Sequence, residues 1–213
     1  MTRIKSYLSH QVSEIKEKGW TAVWRKLKRL TIRLLSVIIA IPPVLFVRLI
    51  QPFIWIRFGP IRSDVIGHNV FDPEYYLAER ELLKSTSIDC FYFGTKILPN
   101  EHWPLMLHRH LRIHPIFEYL ANVNQFIPGS DKHYKAIFYP GTRDLKGYFA
   151  RTKPHIKFFS EEDDQGRQFL ENLGMQISDR FVSLIVRDSA YKEKFQNWDK
   201  RDWSYHNHRD SDI

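Results

Sequence analysis

The sequence predicts a mixed α/β fold: a mainly parallel sheet covered by helices on both faces, preceded by a membrane-associated helical segment. Three observations carry this. Short apolar and aromatic runs alternate with longer amphipathic stretches, at connection lengths that imply parallel pairing. The first 57 residues differ in kind from the rest, being basic and amphipathic and then almost wholly apolar. At 213 residues and 43% hydrophobic, the chain can bury one sizeable core. The expected division is therefore 1–57, membrane-associated, and 58–213, α/β.

Composition narrows the partners. A formal charge of +8 favours anionic ones: nucleic acid, an acidic membrane surface or phosphorylated substrates. Cys90 is the only cysteine, which excludes an intrachain disulfide and a cysteine-based zinc site and suits a reducing, cytoplasmic setting. The chain stops at Arg209-Asp210-Ser211-Asp212-Ile213, soon after a new strand has started, so a truncated reading frame is expected.

In the entry segment, Ile4, Leu8, Ile15, Trp20, Val23, Trp24 and Leu27 recur at roughly helical spacing, with Lys16, Lys18, Arg25, Lys26, Lys28 and Arg29 between them. A basic helix with tryptophan on one face fits a headgroup region; a packed helix with a solvated basic face is the alternative. Leu34 to Val47 is almost wholly apolar but contains Pro42-Pro43 and falls short of the roughly 20 residues a spanning helix needs. With Arg48 snorkelling, Leu30 to Ile50 could just cross; the shorter reading is an anchor that dips into the membrane from the cytoplasmic side, placing the protein at the cytoplasmic face of the inner membrane.

Phe53 to Ile56 reads as the first buried strand, and Gly59-Pro60 as its stop, with Ser63 or Asp64 free to cap the turn that follows. Asp72-Pro73-Glu74 reads as a helix start, running to about Leu83. Ile88 to Phe93 is a buried strand closed by Gly94. Asn100-Glu101 caps a helix whose core face is Leu105, Met106, Leu107, Leu111 and Ile113, ending at His114-Pro115; a short helix follows to Val123. Tyr134 to Tyr139 is a further strand. Ser160 to Gly174 is a helix capped by Ser160, with Asp163 at capping-box distance and Phe169, Leu170 and Leu173 inward. Phe181 to Val186 is the strongest strand. The body is thus Rossmann-like in architecture, although no G-x-G-x-x-G follows any strand.

In such sheets ligands bind where loops leave the carboxyl ends of strands. Arg62, Arg143 and Arg187 all fall on loops expected at that edge, where guanidinium groups could clasp a diphosphate; singly, each is equally readable as a surface ion-pair residue. Asp64 and His68, four apart, could supply a carboxylate and an imidazole to one pocket, or be a cap and a hydrogen-bonded core residue. His108, His110 and His114, like His206 and His208, lack the spacing of a zinc site, and no metal is expected. The His–Asp motif of glycerolipid acyltransferases has four intervening residues, whereas His68 and Asp72 enclose three. Basic residues interleaved with aromatics at 16–33 approach a nucleic-acid surface, but their continuity with the apolar run favours membrane, so no nucleic acid is expected.

In order along the chain, GPIRSDVIGH, FDPEYYLAEREL, CFYFGTKILPNEHWPLML, FVSLIVRDSAY and SYHNHRDSDI resemble a family of bacterial glycosyltransferases linked to surface-polysaccharide synthesis. The resemblance spans Phe58 to Ile213. It implies the N-terminal, acceptor-side half of a GT-B-like architecture, transferring a sugar from a nucleotide-sugar donor to a lipid-linked or cell-envelope glycan, with no cofactor beyond the donor. Gly67 and His68 match the family's Ile-Gly-His element; Arg187, Asp188 and Tyr191 match its Arg-Asp-x-x-Tyr element; Tyr205, Arg209 and Asp212 match a tyrosine-to-arginine element before the second half. Family members continue into a second nucleotide-binding domain, so the resemblance implies that this stretch alone would not turn over. Two other readings stay open: a non-catalytic membrane-surface protein binding anionic lipid or partners, and an inactive remnant.

Overall fold

The structure, a computed structural model, describes residues 2–141, 143–176, 178–180 and 182. It is a mixed α/β protein with a small parallel sheet. By packing, the described residues up to Phe158 form one compact unit and those from Phe159 onward another.

The first unit opens with a long helix, α1 (Thr2–Leu49), interrupted at Gly19, whose φ of 55° and ψ of −146° are non-helical. Among the described residues no helix is long and apolar enough to cross a membrane. Nor does Arg48 snorkel. Its guanidinium donates to Asn124 Oδ1 at 2.7 and 3.0 Å and to the carbonyls of Pro128 and Gly129, clasping the end of α1 to the protein body.

Strand β1 (Ile56–Ile61) pairs in parallel with β2 (Ile88–Phe93), which pairs in parallel with β3 (Arg112–Ile113). The first strand was expected at Phe53 to Ile56, stopped by Gly59-Pro60; it instead begins at Ile56 and runs through both. Gly59 is tolerated because the neighbouring chain comes so close that a Cβ there would meet the Lys135 carbonyl at 1.9 Å. Pro60 leaves a different mark. On the free side of β1, Lys135 N–H donates to Phe58 O, Ile137 N–H to Pro60 O and Arg62 N–H to Ile137 O. The bond between those, from residue 60 to Lys135 O, needs an N–H that proline lacks. The expected strand Tyr134 to Tyr139 is accordingly reduced to two parallel bridges, Phe58 with Tyr134 and Ile61 with Ile137.

Helix α2 (Ile66–Leu82) starts six residues before the expected cap at Asp72, so Pro73 lies inside it. The carbonyl that a residue at 73 would have bonded, Asn69 O, accepts the Trp103 indole N–H instead, at 2.7 Å. Asn100, expected with Glu101 to cap the next helix, accepts at Oδ1 from the N–H groups of His102 and Trp103, but the cap position itself is His102, which makes no side-chain cap bond. Helix α3 (Trp103–His110) then stops early: Leu111 is extended and Ile113 belongs to β3, not to a helical core face, while Leu105 is exposed. Helix α4 (Ile116–Asn124) fits its expected span.

Side chains alternate across the sheet, and both faces are covered. On one, Ile61 and Phe91 pack with Tyr76 of α2 and Leu107 of α3; on the other, Phe58 and Cys90 pack with Ala121 of α4 and Val47 of α1. Across the β1–β2 pair, Arg57 faces Asp89 in register and holds it bidentately at 2.7 Å, with Tyr76 Oη and Arg80 completing the network. Burial pushes the Asp89 pKa up, but the hydrogen bonds from Arg57 and Tyr76 outweigh it, and the carboxyl sits below its ordinary range.

In the second unit, α5 (Ser160–Asn172) has Phe159 at its cap position rather than Ser160, and Glu162, not Asp163, reaches back to the Phe159 N–H at 2.8 Å. Phe169 and Leu173, expected to face inward, are exposed. The expected strand Phe181 to Val186 lies outside the described residues except for Val182.

Candidate active site

The carboxyl end of β1 delivers Arg62, Ser63 and Asp64, and the first turns of α2 deliver Gly67, His68 and Asp72. Ser63 is buried and bonded to Thr95, in the loop after β2, which ties the two loops together. The cap residue of α2 is Val65, in an extended conformation with no side-chain cap bond, so neither Ser63 nor Asp64 fills that role.

Two polar pairs sit on this edge. Arg62 Nε donates to Asp64 Oδ1 at 3.2 Å, both side chains about one-third exposed. His68 Nδ1 lies 3.0 Å from Asp72 Oδ2 across one helical turn, with the imidazole at the surface edge and the carboxylate fully buried. Phe138, just past the Ile137 bridge, joins them: its ring is 5.2 Å from the His68 ring and 5.3 Å from the Arg62 guanidinium carbon. Burial, the largest influence, raises the Asp72 pKa, offset in part by the Tyr139 backbone amide and the His68 hydrogen bond. Its second oxygen, Oδ1, meets no donor at full hydrogen-bond geometry, and the side-chain amide of buried Asn69, three residues earlier on α2, likewise has a partner for neither its Oδ1 nor its Nδ2.

The chemistry open to this arrangement follows from the imidazole. With Nδ1–H donated to the Asp72 carboxylate, the lone pair lies on Nε2, and a carboxylate behind a histidine both fixes that tautomer and stabilises the charge formed when Nε2 takes a proton. Beside it, Arg62 is a cation able to meet a developing negative charge.

The structure therefore brings together Arg62, Asp64 and His68, but with different partnerships from those the sequence proposes: Asp64 pairs with Arg62, and the carboxylate behind His68 is Asp72. Gly67 is exposed in the first turn of α2, and a Cβ there would meet open space. Arg143 is exposed in the loop after Tyr139, and the contacts that assemble the cluster do not include it. Arg187, Asp188, Tyr191, Tyr205, Arg209 and Asp212 lie outside the described residues. Sequence reasoning assigned Asp72 to a helix cap and passed over Phe138. The four-residue step from His68 to Asp72 was the available signal, and Phe138 had none.

Among the described residues no cluster of three or more histidine, cysteine or acidic side chains converges as a metal site. A shallow apolar groove of about 360 Å³ runs along α2, lined by Ile66, Gly67, Val70, Phe71 and Glu74 with Phe149. Comparison with family models, with curated proteins and with solved structures finds no match to this chain.

Proposed function

We propose that this chain is the acceptor-side part of a glycosyltransferase in which His68, oriented by Asp72, removes the proton from the acceptor hydroxyl. The observation that carries the reading is the His68–Asp72 pair at 3.0 Å on the carboxyl edge of a parallel sheet, with Arg62 beside it. In the transfer, the acceptor O–H bond breaks and its proton passes to His68 Nε2. The oxygen forms the new bond to the anomeric carbon of a nucleotide sugar, and the bond from that carbon to the diphosphate breaks with its electron pair leaving on phosphate. Arg62 offsets the leaving charge. Arg143 and Arg187 are further candidates for that duty because both fall on loops that the sequence places at the carboxyl edge, and Arg187 also by the sequence resemblance. The family assignment, the GT-B-like and Rossmann-like descriptions, the lipid-linked or envelope glycan acceptor and a location at the cytoplasmic face of the inner membrane belong to the same proposal.

A second reading, a non-catalytic protein of the membrane surface, is favoured by one specific feature, the exposed apolar face of α1. Transfer separates the two. The intact protein is incubated with membranes of its own host and a panel of labelled nucleotide sugars, and label is followed into the lipid and glycan fractions. The enzyme reading expects incorporation that falls by about 10²–10⁴ in His68→Gln. No incorporation, or equal incorporation by both proteins, overturns it.

A further inference from the structure

The stretch of α1 from Leu34 to Val47 is almost wholly apolar around its circumference, which an ordinary surface helix is not. Ala40, Val44 and Val47, spaced four and three apart, form one edge and are buried, packed with Leu120, Ala121 and Val123 around α4. On the opposite edge Leu35, Ile38, Leu45, Phe46 and Leu49 are each more than half exposed. Just beyond the helix Phe53 is 88% exposed. A contiguous apolar strip of this size marks a surface that something covers.

We propose that this strip is a membrane dock that inserts into one leaflet of an anionic bilayer with α1 lying along the interface. Three features select lipid over a protein partner or a second copy. Between Glu17 and Asp64 the sequence has no acidic residue, while Arg25, Lys26, Lys28, Arg29 and Arg33 lie immediately before the strip. Such a run attracts an anionic headgroup layer and repels another copy of itself. Trp20 and Trp24, the indole-bearing side chains of that basic stretch, are 84% and 70% exposed, as headgroup-level tryptophans are. The apolar stretch from Leu34 to Val47 is about 21 Å long at 1.5 Å per residue, short of the roughly 30 Å hydrocarbon core, and its Ala40–Val44–Val47 edge is committed to α4. The helix is therefore set to lie in the interface rather than cross it. The Arg48 clasp on Asn124, Pro128 and Gly129 makes the dock part of the folded body instead of a tether. This inference does not depend on the glycosyltransferase reading.

The test is flotation of the full chain with vesicles of phosphatidylcholine alone and with one-quarter phosphatidylglycerol, at low and high salt, for wild type, Ile38→Asp/Phe46→Asp and the control Leu105→Asp, an exposed apolar position on α3. The dock predicts flotation with the anionic vesicles that weakens in salt, a partition coefficient at least tenfold lower in the double variant, and no loss in Leu105→Asp. A double variant that floats like wild type overturns it. So does a wild type that stays with the soluble fraction as a stable dimer, which would make the strip an interface between copies. A second readout does not depend on the double variant folding. An environment-sensitive fluorophore on Phe46→Cys shifts to the blue and is quenched by brominated lipid, whereas one on Leu105→Cys is not. An unshifted label at position 46 contradicts the proposal.

Discussion

The Trp103 indole N–H donates to the Asn69 carbonyl at 2.7 Å, and that carbonyl is the one stranded by Pro73 four residues later. Pro73 leaves a helical acceptor without its donor, and Trp103, from the start of α3, supplies one. Trp103→Phe keeps most of the ring volume and leaves the carbonyl without a donor, at an expected cost of about 1–3 kcal/mol by urea denaturation. Pro73→Ala returns a backbone N–H to the same acceptor. In that background Trp103→Phe should cost less, by about 1 kcal/mol, and strictly additive variants would show that the two residues do not share the carbonyl.

Asp72 is buried and its pKa is raised, so the folded chain holds that proton more tightly than the unfolded one. Its contribution to stability is full below the unfolded carboxylate pKa, about 3.9, and is lost as pH rises through the folded value. Asp72→Asn removes this term. The difference in stability between Asp72→Asn and wild type should therefore move in favour of the variant from pH 4 to pH 8, although transfer falls with the loss of the carboxylate behind His68. A difference that stays flat with pH would mean the group is not desolvated as described.

Asp89 has the opposite sign. Its carboxyl lies below the ordinary range because Arg57 and Tyr76 hydrogen bonds outweigh burial, so its contribution is present above about pH 4 and lost as pH falls through the depressed folded value. Asp89→Asn leaves Arg57 and Arg80 against a neutral partner and should cost about 3–5 kcal/mol at pH 7, with the gap to wild type narrowing in acid. Chemical denaturation at several pH values measures it.

Gly59 and Gly67 make a matched pair. At Gly59 a Cβ would lie 1.9 Å from the Lys135 carbonyl, so Gly59→Ala has to push the Tyr134 to Ile137 segment away from β1, at an expected cost of about 3 kcal/mol. At Gly67 a Cβ meets open space within a helix, and Gly67→Ala should stabilise by about 0.5–1 kcal/mol. If acceptor approaches the first turn of α2 closely, Gly67→Ala is also the variant that loses transfer while gaining stability.

The Cys90 thiol, buried on β2 against Phe58 of β1 and Ala121 of α4, is pushed up to about 11 by desolvation. At pH 8 on the order of 10⁻³ of it is thiolate. A thiol-disulfide reagent should react with the native protein at least 100-fold more slowly than with the urea-unfolded chain, and equal rates would place Cys90 at the surface.

Much of the architecture is readable from residue order. Ile88 to Phe93 is a short apolar run bounded by polar residues and Gly94, and it is β2 to the residue. Pro115 to Val123 gives α4. What escapes the sequence is decided by tertiary contacts. Gly59-Pro60 looks like a stop but sits inside β1, because the glycine admits the Lys135 backbone and the proline shifts its cost to a missing ladder bond. Asp72-Pro73-Glu74 has the pattern of a helix start, and only the distant Trp103 lets the helix begin at Ile66 instead. Arg112–Ile113 is too short to register as a strand before β2 is in place beside it. The same misread start hides the His68–Asp72 pair: with Asp72 read as a cap, His68 is matched to Asp64, which instead accepts from Arg62.

The account rests on His68 as the group that takes the acceptor proton, and its most direct test is chemical rescue. The transfer rate of His68→Ala is measured with and without added imidazole, beside wild type, under single-turnover conditions. The account predicts a loss of about 10²–10⁴ that free imidazole restores by tenfold or more without affecting wild type. A His68→Ala protein that transfers at the wild-type rate contradicts it.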